Sequence, residues 1–243
     1  MQTENDGNIV QAVDWDFFLA WLKYSWPPGV HMALVGPTGE GKTTFAVGVL
    51  ELRKWVIALD PKGEDDTLSA SGYQRITSFP LPGKLRNDVA EGKPVRLIVG
   101  GAAGTDDEER QLKRLMNQAV DMVRQQGGWT LYADEFQILA DLRMFNLGKK
   151  IEQLLIAART RGTSVITAFQ APAWVPRSAL RQAGIVVVWP TRDRGMIANI
   201  AQAMGREPKM MIEAVGELPS YHVLVIPKNI HQKMMLVHPP AVN

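Results

Sequence analysis

The sequence predicts an α/β fold with a parallel or mostly parallel central sheet that helices cover on both sides. At least five apolar runs have the length of a buried strand, and segments with helical spacing of apolar residues lie between them. Strands that alternate with helices favour crossover connections and therefore a parallel sheet. A length of 243 residues suits one large domain of this class, or one domain with small additions.

Composition excludes several classes of protein. Hydrophobic residues make up 46% of the chain and charged residues 21%, and no apolar run is long enough to span a bilayer. The polar first ten residues do not fit a secretory leader, so we expect a cytoplasmic protein, or a virion-associated one if the chain is viral. Without cysteine, disulfides and thiolate zinc sites are excluded, and the four scattered histidines form no metal pair on a helix.

Charge is distributed unevenly along the chain. The formal net charge of +2 is too small to indicate a nucleic-acid partner by itself. Acidic residues collect at 64–66 and 106–109, whereas basic residues collect at 143–150, 159–161 and 177–194. The second half of the chain is therefore the candidate surface for a polyanion.

A complete phosphate-binding loop motif follows an apolar run. Residues 30–44 read VHMALVGPTGEGKTT and contain the Walker A pattern G-x-x-x-x-G-K-S/T. In this pattern a strand stops abruptly, its backbone N–H groups surround a phosphate chain, and a helix begins with its positive end towards the anion. Lys42 is predicted to reach the β- and γ-phosphates, and the Thr43 hydroxyl to bind Mg²⁺. The predicted nucleotide-binding residues are Gly36, Pro37, Thr38, Gly39, Glu40, Gly41, Lys42, Thr43 and Thr44.

A second motif of the Walker B type lies roughly 90 residues downstream. Residues 129–135 read WTLYADE, an apolar strand that ends in an Asp-Glu pair. Asp134 is predicted to hold the Mg²⁺ shell and Glu135 to polarise the attacking water. We expect the ends of this strand and of the Walker A strand to lie side by side at one magnesium–triphosphate. The Asp-Glu pair also argues against small GTPases and simple nucleotide kinases.

The next predicted strand runs from Thr163 to Phe169, and polar residues lie before and after it. Gln170 follows it and is placed to sense the γ-phosphate, because it lies at the tip of a strand beside the Asp-Glu strand. Arg159 and Arg161 precede it, at the end of a predicted helix near residues 149–158. Arginine at a helix end is often explained by interaction with the helix dipole alone.

The middle of the chain adds further elements to the prediction. Residues 54–60 read as a buried strand, and the DPKGE loop after it either faces the nucleotide crevice or is a solvated turn. Residues 73–79 and 95–99 are short strand-like pieces. Thr105 and Glu108 form a predicted capping box at the start of an amphipathic helix.

The N-terminal segment is predicted to be an arm at residues 1–29 that carries an amphipathic aromatic helix. Phe17, Trp21 and Tyr24 lie near helical spacing, so the helix either packs on the core or offers a platform for a nucleotide base or another subunit. The ATPase domain is assigned to residues 30–243, with a small strand pair at about 220–238 near its end.

These motifs together resemble the FtsK/HerA superfamily of DNA-pumping ATPases, which includes conjugative coupling proteins and packaging ATPases of some viruses. The resemblance covers residues 30–205 and rests on GPTGEGKTT, DPKGE, LYADEFQ, ARTRG and TAFQAP. It implies a RecA-like three-layer αβα sandwich of the P-loop NTPase type, with an additional strand and a catalytic Glu. It also implies a homo-oligomeric ring, usually a hexamer, with ATP and Mg²⁺ between neighbouring subunits.

Carried over to this chain, the resemblance assigns catalytic roles to Lys42, Glu135 and Gln170. Arg159 is the first candidate for an arginine finger that acts from the adjacent subunit, and Arg161 is the second. Double-stranded DNA is the implied substrate, and its phosphates would be contacted by basic residues of a central channel. Candidates for that lining, each also explicable as a solvated surface charge, are Arg143, Lys149, Lys150, Arg177 and Arg181.

The chain is little more than the motor core of this superfamily, which favours viral genome packaging or transfer of a mobile element. A viral portal or vertex protein, or a transfer-channel protein, is the expected partner. A helicase on single strands is an alternative that would need stacking aromatics, for which Phe145 and Trp174 are available. A monomeric phosphotransferase, or an assembly subunit that only binds ATP, would also fit a phosphate-binding loop.

Overall fold

The computed structural model describes residues 10–63, 66–101, 104–170 and 176–240, without the side chains of residues 158 and 159. Within these ranges ten strands form one sheet. They are β1 (Val10–Val13), β2 (His31–Gly36), β3 (Trp55–Asp60), β4 (Gln74–Arg75), β5 (Val95–Gly100), β6 (Thr130–Ala133), β7 (Ser164–Gln170), β8 (Ala183–Val188), β9 (Val223–Pro227) and β10 (Met234–Val237).

Helices connect most of these strands. They are α1 (Trp15–Ser25), α2 (Lys42–Leu50), α3 (Asp66–Ala70), α4 (Gly83–Ala90), α5 (Asp106–Gln126), α6 (Phe136–Ala140), α7 (Gly148–Ala157), α8 (Arg177–Gln182), α9 (Arg194–Met204) and α10 (Pro208–Gly216), with a 3₁₀ turn at Ala158–Arg161 after α7. Among the described helices, none is both long and apolar enough to cross a membrane.

The strand order across the sheet is β1-β10-β9-β8-β2-β7-β6-β3-β5-β4. Strand β9 runs antiparallel to its neighbours β8 and β10, and the other recorded pairs are parallel. Separate apolar clusters pack on the two faces of the sheet. The prediction of a mostly parallel sheet covered on both sides is therefore confirmed.

One strand separates the two motif strands that the sequence predicted to be neighbours. Strand β7 pairs with β2 on one side and with β6 on the other, so the Walker A and Walker B strands are not adjacent. The expectation that their ends lie side by side is wrong in this respect. The intervening strand ends in Gln170, which brings a polar side chain between the two motifs.

Helix α1 forms within the segment predicted to be helical and packs on the core. Its buried residues are Phe18 and Leu22, whereas Phe17 is 51% exposed and Tyr24 is 87% exposed. Trp21 is partly buried against the same apolar cluster and stacks on Phe18 with the ring centroids 6.0 Å apart, so the first predicted alternative, a helix packed on the core, is confirmed. Phe18 lies 5.7 Å from Phe45 of α2, measured between ring centroids, so α1 packs against the helix that begins at the phosphate-binding loop.

Two further segments differ from the sequence prediction. Residues 73–79, predicted as a strand, contain only the two-residue edge strand β4, and the Pro/Gly-rich link after them contains α4. Strand β1 was not predicted at all, and it pairs in parallel with β10 near the other end of the chain. Its four residues carry no alternation of buried and exposed positions, so their pairing depends on a partner that only the fold supplies.

Candidate functional site

The predicted phosphate-binding loop lies between β2 and α2. Gly39 and Gly41 have φ angles of 81° and 82°, in the left-handed region where a side chain would be strained. Helix α2 begins at Lys42, immediately after Gly41, so the free N–H groups of its first turn face the loop. This is the backbone geometry that binds a phosphate chain.

Lys42 is held inside this loop. Its side chain is mostly buried, and its Nζ donates hydrogen bonds to the carbonyl oxygens of Gly36, at 2.9 Å, and Pro37, at 2.5 Å. Burial lowers the pKa of Lys42, while the nearby carboxylates of Asp134 and Glu135 act in the opposite direction. An ammonium group has three donors, so the one that these two bonds leave can point to a phosphate.

Asp134 and Glu135 follow β6 in a tight turn. Tyr132 Oη donates to Asp134 Oδ1 at 2.9 Å, and the backbone N–H of Glu135 donates to the same oxygen at 3.0 Å. Glu135 itself has a φ of 44°, a left-handed conformation that is costly for a residue with a side chain. Such local strain occurs preferentially at functional sites, and here it turns the Glu135 side chain away from the axis of β6.

The Glu135 carboxylate has two different oxygen environments. Oε1 accepts hydrogen bonds from Gln170 Nε2 at 2.5 Å and from Lys62 Nζ at 2.6 Å. Oε2 is buried, and no hydrogen-bond partner for it is found within the described residues. One oxygen is therefore fixed by two donors, while the other is left to accept a proton or a water.

Lys62 is a site residue that sequence reasoning did not identify. It belongs to the DPKGE loop, and its partner Glu135 is 73 residues away in the chain. The loop geometry is set by the Asp60 carboxylate, which accepts the backbone N–H of Gly63 at 2.9 Å. The sequence offered one signal that could have identified Lys62, namely the prediction that its loop faces the nucleotide crevice. The ion pair between Lys62 and Glu135 agrees with that prediction.

A cavity of about 280 Å³ joins the two motifs. Nine of the predicted site residues meet in its lining although they come from three segments of the chain: Thr38, Gly39, Gly41, Lys42, Thr43, Thr44, Asp134, Glu135 and Gln170. A second cavity, of about 400 Å³, continues from Thr43 and Asp134 towards the loop that carries Lys62.

The donor set suits Mg²⁺ better than a transition metal. Among the described residues no group of three His, Cys, Asp or Glu side chains could hold a metal ion. Mg²⁺ is instead commonly bound by one or two protein oxygens together with substrate phosphates and water. The Thr43 hydroxyl and the Asp134 carboxylate, which both line the cavity, provide such a pair.

The arginines predicted as fingers lie away from this cavity. They belong to the turn Ala158–Arg161, just before β7, whereas Gln170 ends that strand. The two ends of a seven-residue strand are roughly 20 Å apart, because each residue adds about 3.3 Å. The backbone of this turn therefore lies far from the end of β7 at which Gln170 meets the cavity.

Arg161 has a structural partner at this turn. Its Nη1 donates to the carbonyl oxygens of Arg124, at 3.0 Å, and Gln125, at 3.1 Å, in the last turn of α5. Its own carbonyl accepts the backbone N–H of Gly128 at 3.0 Å. These bonds satisfy carbonyls at a helix end, as expected for the simpler interpretation of this arginine. The side chain of Arg159 lies outside the part of the chain that the structure describes.

The basic residues predicted to line a channel divide into two groups. Lys150 is half-buried and pairs with Asp121 at 2.8 Å and with Asn117 at 3.0 Å, so it joins α7 to α5 and is not a solvated charge. Exposed members of the set are Arg143, Lys149, Arg177 and Arg181. Phe145, the aromatic considered for base stacking, is only 4% exposed and packs in the core. Trp174 lies outside the described residues.

Comparison with known proteins identifies relatives by structure only. No protein-family model and no curated protein matches the sequence. The genome packaging NTPase B204 of Sulfolobus turreted icosahedral virus 2, in complex with AMPPCP, matches with a TM-score of 0.59 and 20% identity, over 88% of this chain and 100% of that one. VirB4 of Thermoanaerobacter pseudethanolicus matches with a TM-score of 0.60 and 12% identity, over 87% and 89% of the two chains.

A third match is more partial. The cytoplasmic domain of the type VII secretion ATPase EccC of Thermomonospora curvata has a TM-score of 0.52 and 13% identity, over 89% of this chain and 26% of that one. At such identities the likeness concerns the fold. It confirms the predicted α/β fold of a P-loop NTPase.

Proposed function

We propose that this protein is an ATPase of the FtsK/HerA type that moves double-stranded DNA as a homo-oligomeric ring, in viral genome packaging or in transfer of a mobile element. The observation that carries the proposal is the Glu135 carboxylate. Its Oε1 is fixed by Lys62 and Gln170, its Oε2 is buried, and Glu135 lines a cavity that Lys42, Thr43 and Asp134 also line.

In the proposed reaction a water attacks the γ-phosphorus of ATP, the bond to the β-phosphate oxygen breaks, and ADP and phosphate leave. Glu135 Oε2 accepts the proton of the attacking water. Lys42 and the N–H groups at the start of α2 hold the β- and γ-phosphates. Thr43 and Asp134 would hold Mg²⁺, which would neutralise negative charge on the phosphates.

Gln170 is proposed to link the state of the nucleotide to the general base, Glu135. It donates to Glu135 Oε1 and lines the same cavity as the phosphate-binding residues. A γ-phosphate that accepts a hydrogen bond from the Gln170 amide would draw this amide away from the Glu135 carboxylate. The orientation of Glu135 would then differ between the ATP and ADP states.

Arg159 is proposed to complete the site of a neighbouring subunit. Its turn lies at the opposite end of β7 from Gln170, which favours contact with a phosphate in another copy of the chain. The neighbouring Ile156 is 66% exposed, as expected for a residue that a second subunit covers. An arginine from a neighbour stabilises charge on the transferring phosphoryl group.

The DNA-contacting surface is proposed to include the loop between α6 and α7. Arg143 is exposed there, next to Leu142, which is 77% exposed. The loop has a defined shape, because Asp141 Oδ1 accepts the backbone N–H of Arg143 at 2.7 Å. Exposed arginine and lysine suit contact with the phosphate backbone, which carries no sequence information. The burial of Phe145 removes one of the two aromatics that stacking on single strands would need.

The direct test is the ATPase rate with and without duplex DNA over a range of salt concentrations. We expect duplex DNA to stimulate hydrolysis, and the stimulation to weaken as salt rises because phosphate contacts release counterions. Preferential stimulation by single strands would favour a helicase instead. DNA-independent turnover that follows a small acceptor molecule would favour a phosphotransferase and end the motor proposal.

A further inference from the structure

A third cavity also borders the phosphate-binding loop. It has a volume of about 400 Å³ and is lined by residues 39–41 and Thr44 on one wall, and by Trp189, Tyr221 and residues 238–240 on the others. We call it the C-terminal pocket. Gly39, Gly41 and Thr44 also line the cavity that contains Glu135, so the two cavities share one wall. Both cavities therefore border the loop that is predicted to bind the phosphates.

The floor of the C-terminal pocket is rigid. Trp189 is 1% exposed, its backbone N–H donates to the carbonyl of Val35 at 2.9 Å, and its ring meets Phe45 edge-on at 5.5 Å between centroids. A Cβ atom added to Gly36 would lie 2.5 Å from Trp189 Cβ, so the loop and the indole are in close contact. The position of the pocket is therefore fixed relative to the phosphate-binding loop.

The mouth of the pocket presents an aromatic ring that core packing does not explain. Tyr221 is 77% exposed, and its φ of 61° is unusual for a residue other than glycine. Opposite it, His238 packs on His222 with the ring centroids 4.8 Å apart, which holds the imidazole in place. Pro239 and Pro240 continue the apolar wall. An exposed aromatic ring beside flat apolar surfaces is the arrangement that stacks on a planar base.

We propose that the C-terminal pocket receives the base of the nucleotide whose phosphates the loop binds, and that Tyr221 is the residue on which the base stacks. The inference rests on the proposed ATP-binding function and adds the residues that hold the base. Helix α1, the base platform considered from the sequence, contributes no residue to this lining as far as the structure describes it. Its buried aromatic Phe18 packs on α2 instead.

Stacking has a consequence for nucleotide selectivity. Every purine offers a flat π face, so stacking on Tyr221 stabilises adenine and guanine to a similar extent. We therefore expect ATP and GTP to bind with dissociation constants within a few-fold of each other. Magnesium tripolyphosphate, which has no base, should bind about tenfold more weakly than ATP.

The test measures dissociation constants of ATP and of tripolyphosphate, each with Mg²⁺, for the full chain and three variants. Tyr221→Ala should weaken ATP binding about tenfold and leave tripolyphosphate binding unchanged. Tyr221→Phe keeps the ring and should bind ATP like the wild type. Tyr24→Ala is the matched control, because Tyr24 is an exposed tyrosine on α1, and it should change neither constant.

The outcomes separate this inference from the function on which it rests. Wild-type ATP affinity in Tyr221→Ala would overturn it, as would an equal loss of ATP and tripolyphosphate binding or a loss of ATP binding in Tyr24→Ala. A wild-type protein that binds tripolyphosphate as tightly as ATP has a working phosphate loop and no pocket for the nucleotide base. A wild-type protein that binds neither ligand refutes the proposed function itself.

Discussion

Lys62 Nζ lies 2.6 Å from Glu135 Oε1, and Gln170 donates to that same oxygen at 2.5 Å. The ammonium group comes from the loop after β3, the carboxylate from the end of β6 and the amide from the end of β7. Three strand ends are thus tied together at one carboxylate oxygen. We regard Lys62 as a positioning residue that orients Glu135 and leaves Oε2 to act as the base.

Replacing Glu135 tests its role as the general base. Glu135→Gln keeps the size of the side chain and removes its ability to accept a proton, so we expect ATP to bind and hydrolysis to slow by about 10²- to 10⁴-fold. Binding is measured by titration with ATP and hydrolysis by single-turnover phosphate release. Glu109→Gln, at an exposed position in α5, is the control. Turnover at the wild-type rate in Glu135→Gln would remove Glu135 from this role.

Replacing Lys62 tests the positioning role. Lys62→Met should lower kcat by about tenfold or more with a smaller change in KM for ATP, because the residue acts on the base and not on the phosphates. Lys62→Arg should recover part of the loss, since it keeps the charge. Lys84→Met removes an exposed lysine elsewhere and should be neutral. A change confined to KM would show that Lys62 contributes to nucleotide binding instead.

Replacing the two arginines before β7 should affect different properties, the stability of the fold for Arg161 and the rate of hydrolysis for Arg159. Arg161→Ala removes two hydrogen bonds to the end of α5 and should lower the free energy of unfolding by about 1 kcal/mol, a value reduced for the exposure of this side chain. Arg159→Ala should lower kcat by about 10³-fold or more, because this arginine is proposed to stabilise charge on the transferring phosphoryl group. Denaturant titration and steady-state kinetics on both variants check this. An active Arg159→Ala ATPase would contradict the assignment.

Mixed oligomers test whether the finger acts between subunits. Lys42→Ala subunits and Arg159→Ala subunits are each expected to be inactive alone. A mixture should recover part of the activity, because some interfaces then combine an intact phosphate loop with an intact Arg159. The ATPase rate is measured as a function of the mixing ratio, with mixtures of wild-type and Lys42→Ala subunits as the control. Absence of recovery in subunits shown to exchange would argue for an arginine that acts elsewhere.

The capping box of α5 predicts a dependence of stability on pH. Backbone N–H groups of Gly104 and Thr105 donate to Glu108 Oε2 at 2.9 and 3.0 Å, and these bonds lower the pKa of Glu108 below its usual 4.5. A carboxyl group whose pKa is lower in the folded state stabilises the fold above its unfolded pKa, and this stabilisation disappears as the pH falls through the folded pKa.

The matching experiment compares the unfolding free energies of the wild type and Glu108→Gln from pH 7 downward. The wild type should be more stable at pH 7, and the difference should shrink below about pH 4.5. Glu109→Gln, which removes the neighbouring charge in the same helical turn, controls for the general effect of charge near the helix dipole. A difference that stays constant down to acid pH would contradict the role of the ionised carboxylate.

Several elements were predictable because their determinants lie close together in the chain. The capping box of Thr105 and Glu108 is present as predicted, since both residues belong to one helical turn. The phosphate loop follows from glycines that allow left-handed backbone between a strand and a helix. Strand β3 (Trp55–Asp60) likewise lies within the buried strand predicted at residues 54–60.

The face that α1 buries was not predictable in the same way. Apolar residues occur around most of this helix, so two sets of positions have helical spacing and either could face the core. The contact between Phe18 and Phe45 decides between them, and it depends on the position of α2. Strand β1 is a similar case, because four residues without alternating burial gain a defined place only by pairing with β10.

The sequence by itself determined the fold class and the candidate residues for phosphate binding, metal binding and general-base catalysis. It could do so because backbone torsions and strand ends are encoded by neighbours in the chain. Tertiary structure decided that β7 separates the two motif strands, that Lys62 joins Glu135 and that Arg161 caps α5. It also decided which aromatic side chain faces the C-terminal pocket. These relationships join residues that are distant in sequence, so only the packing of the sheet and its helices can establish them.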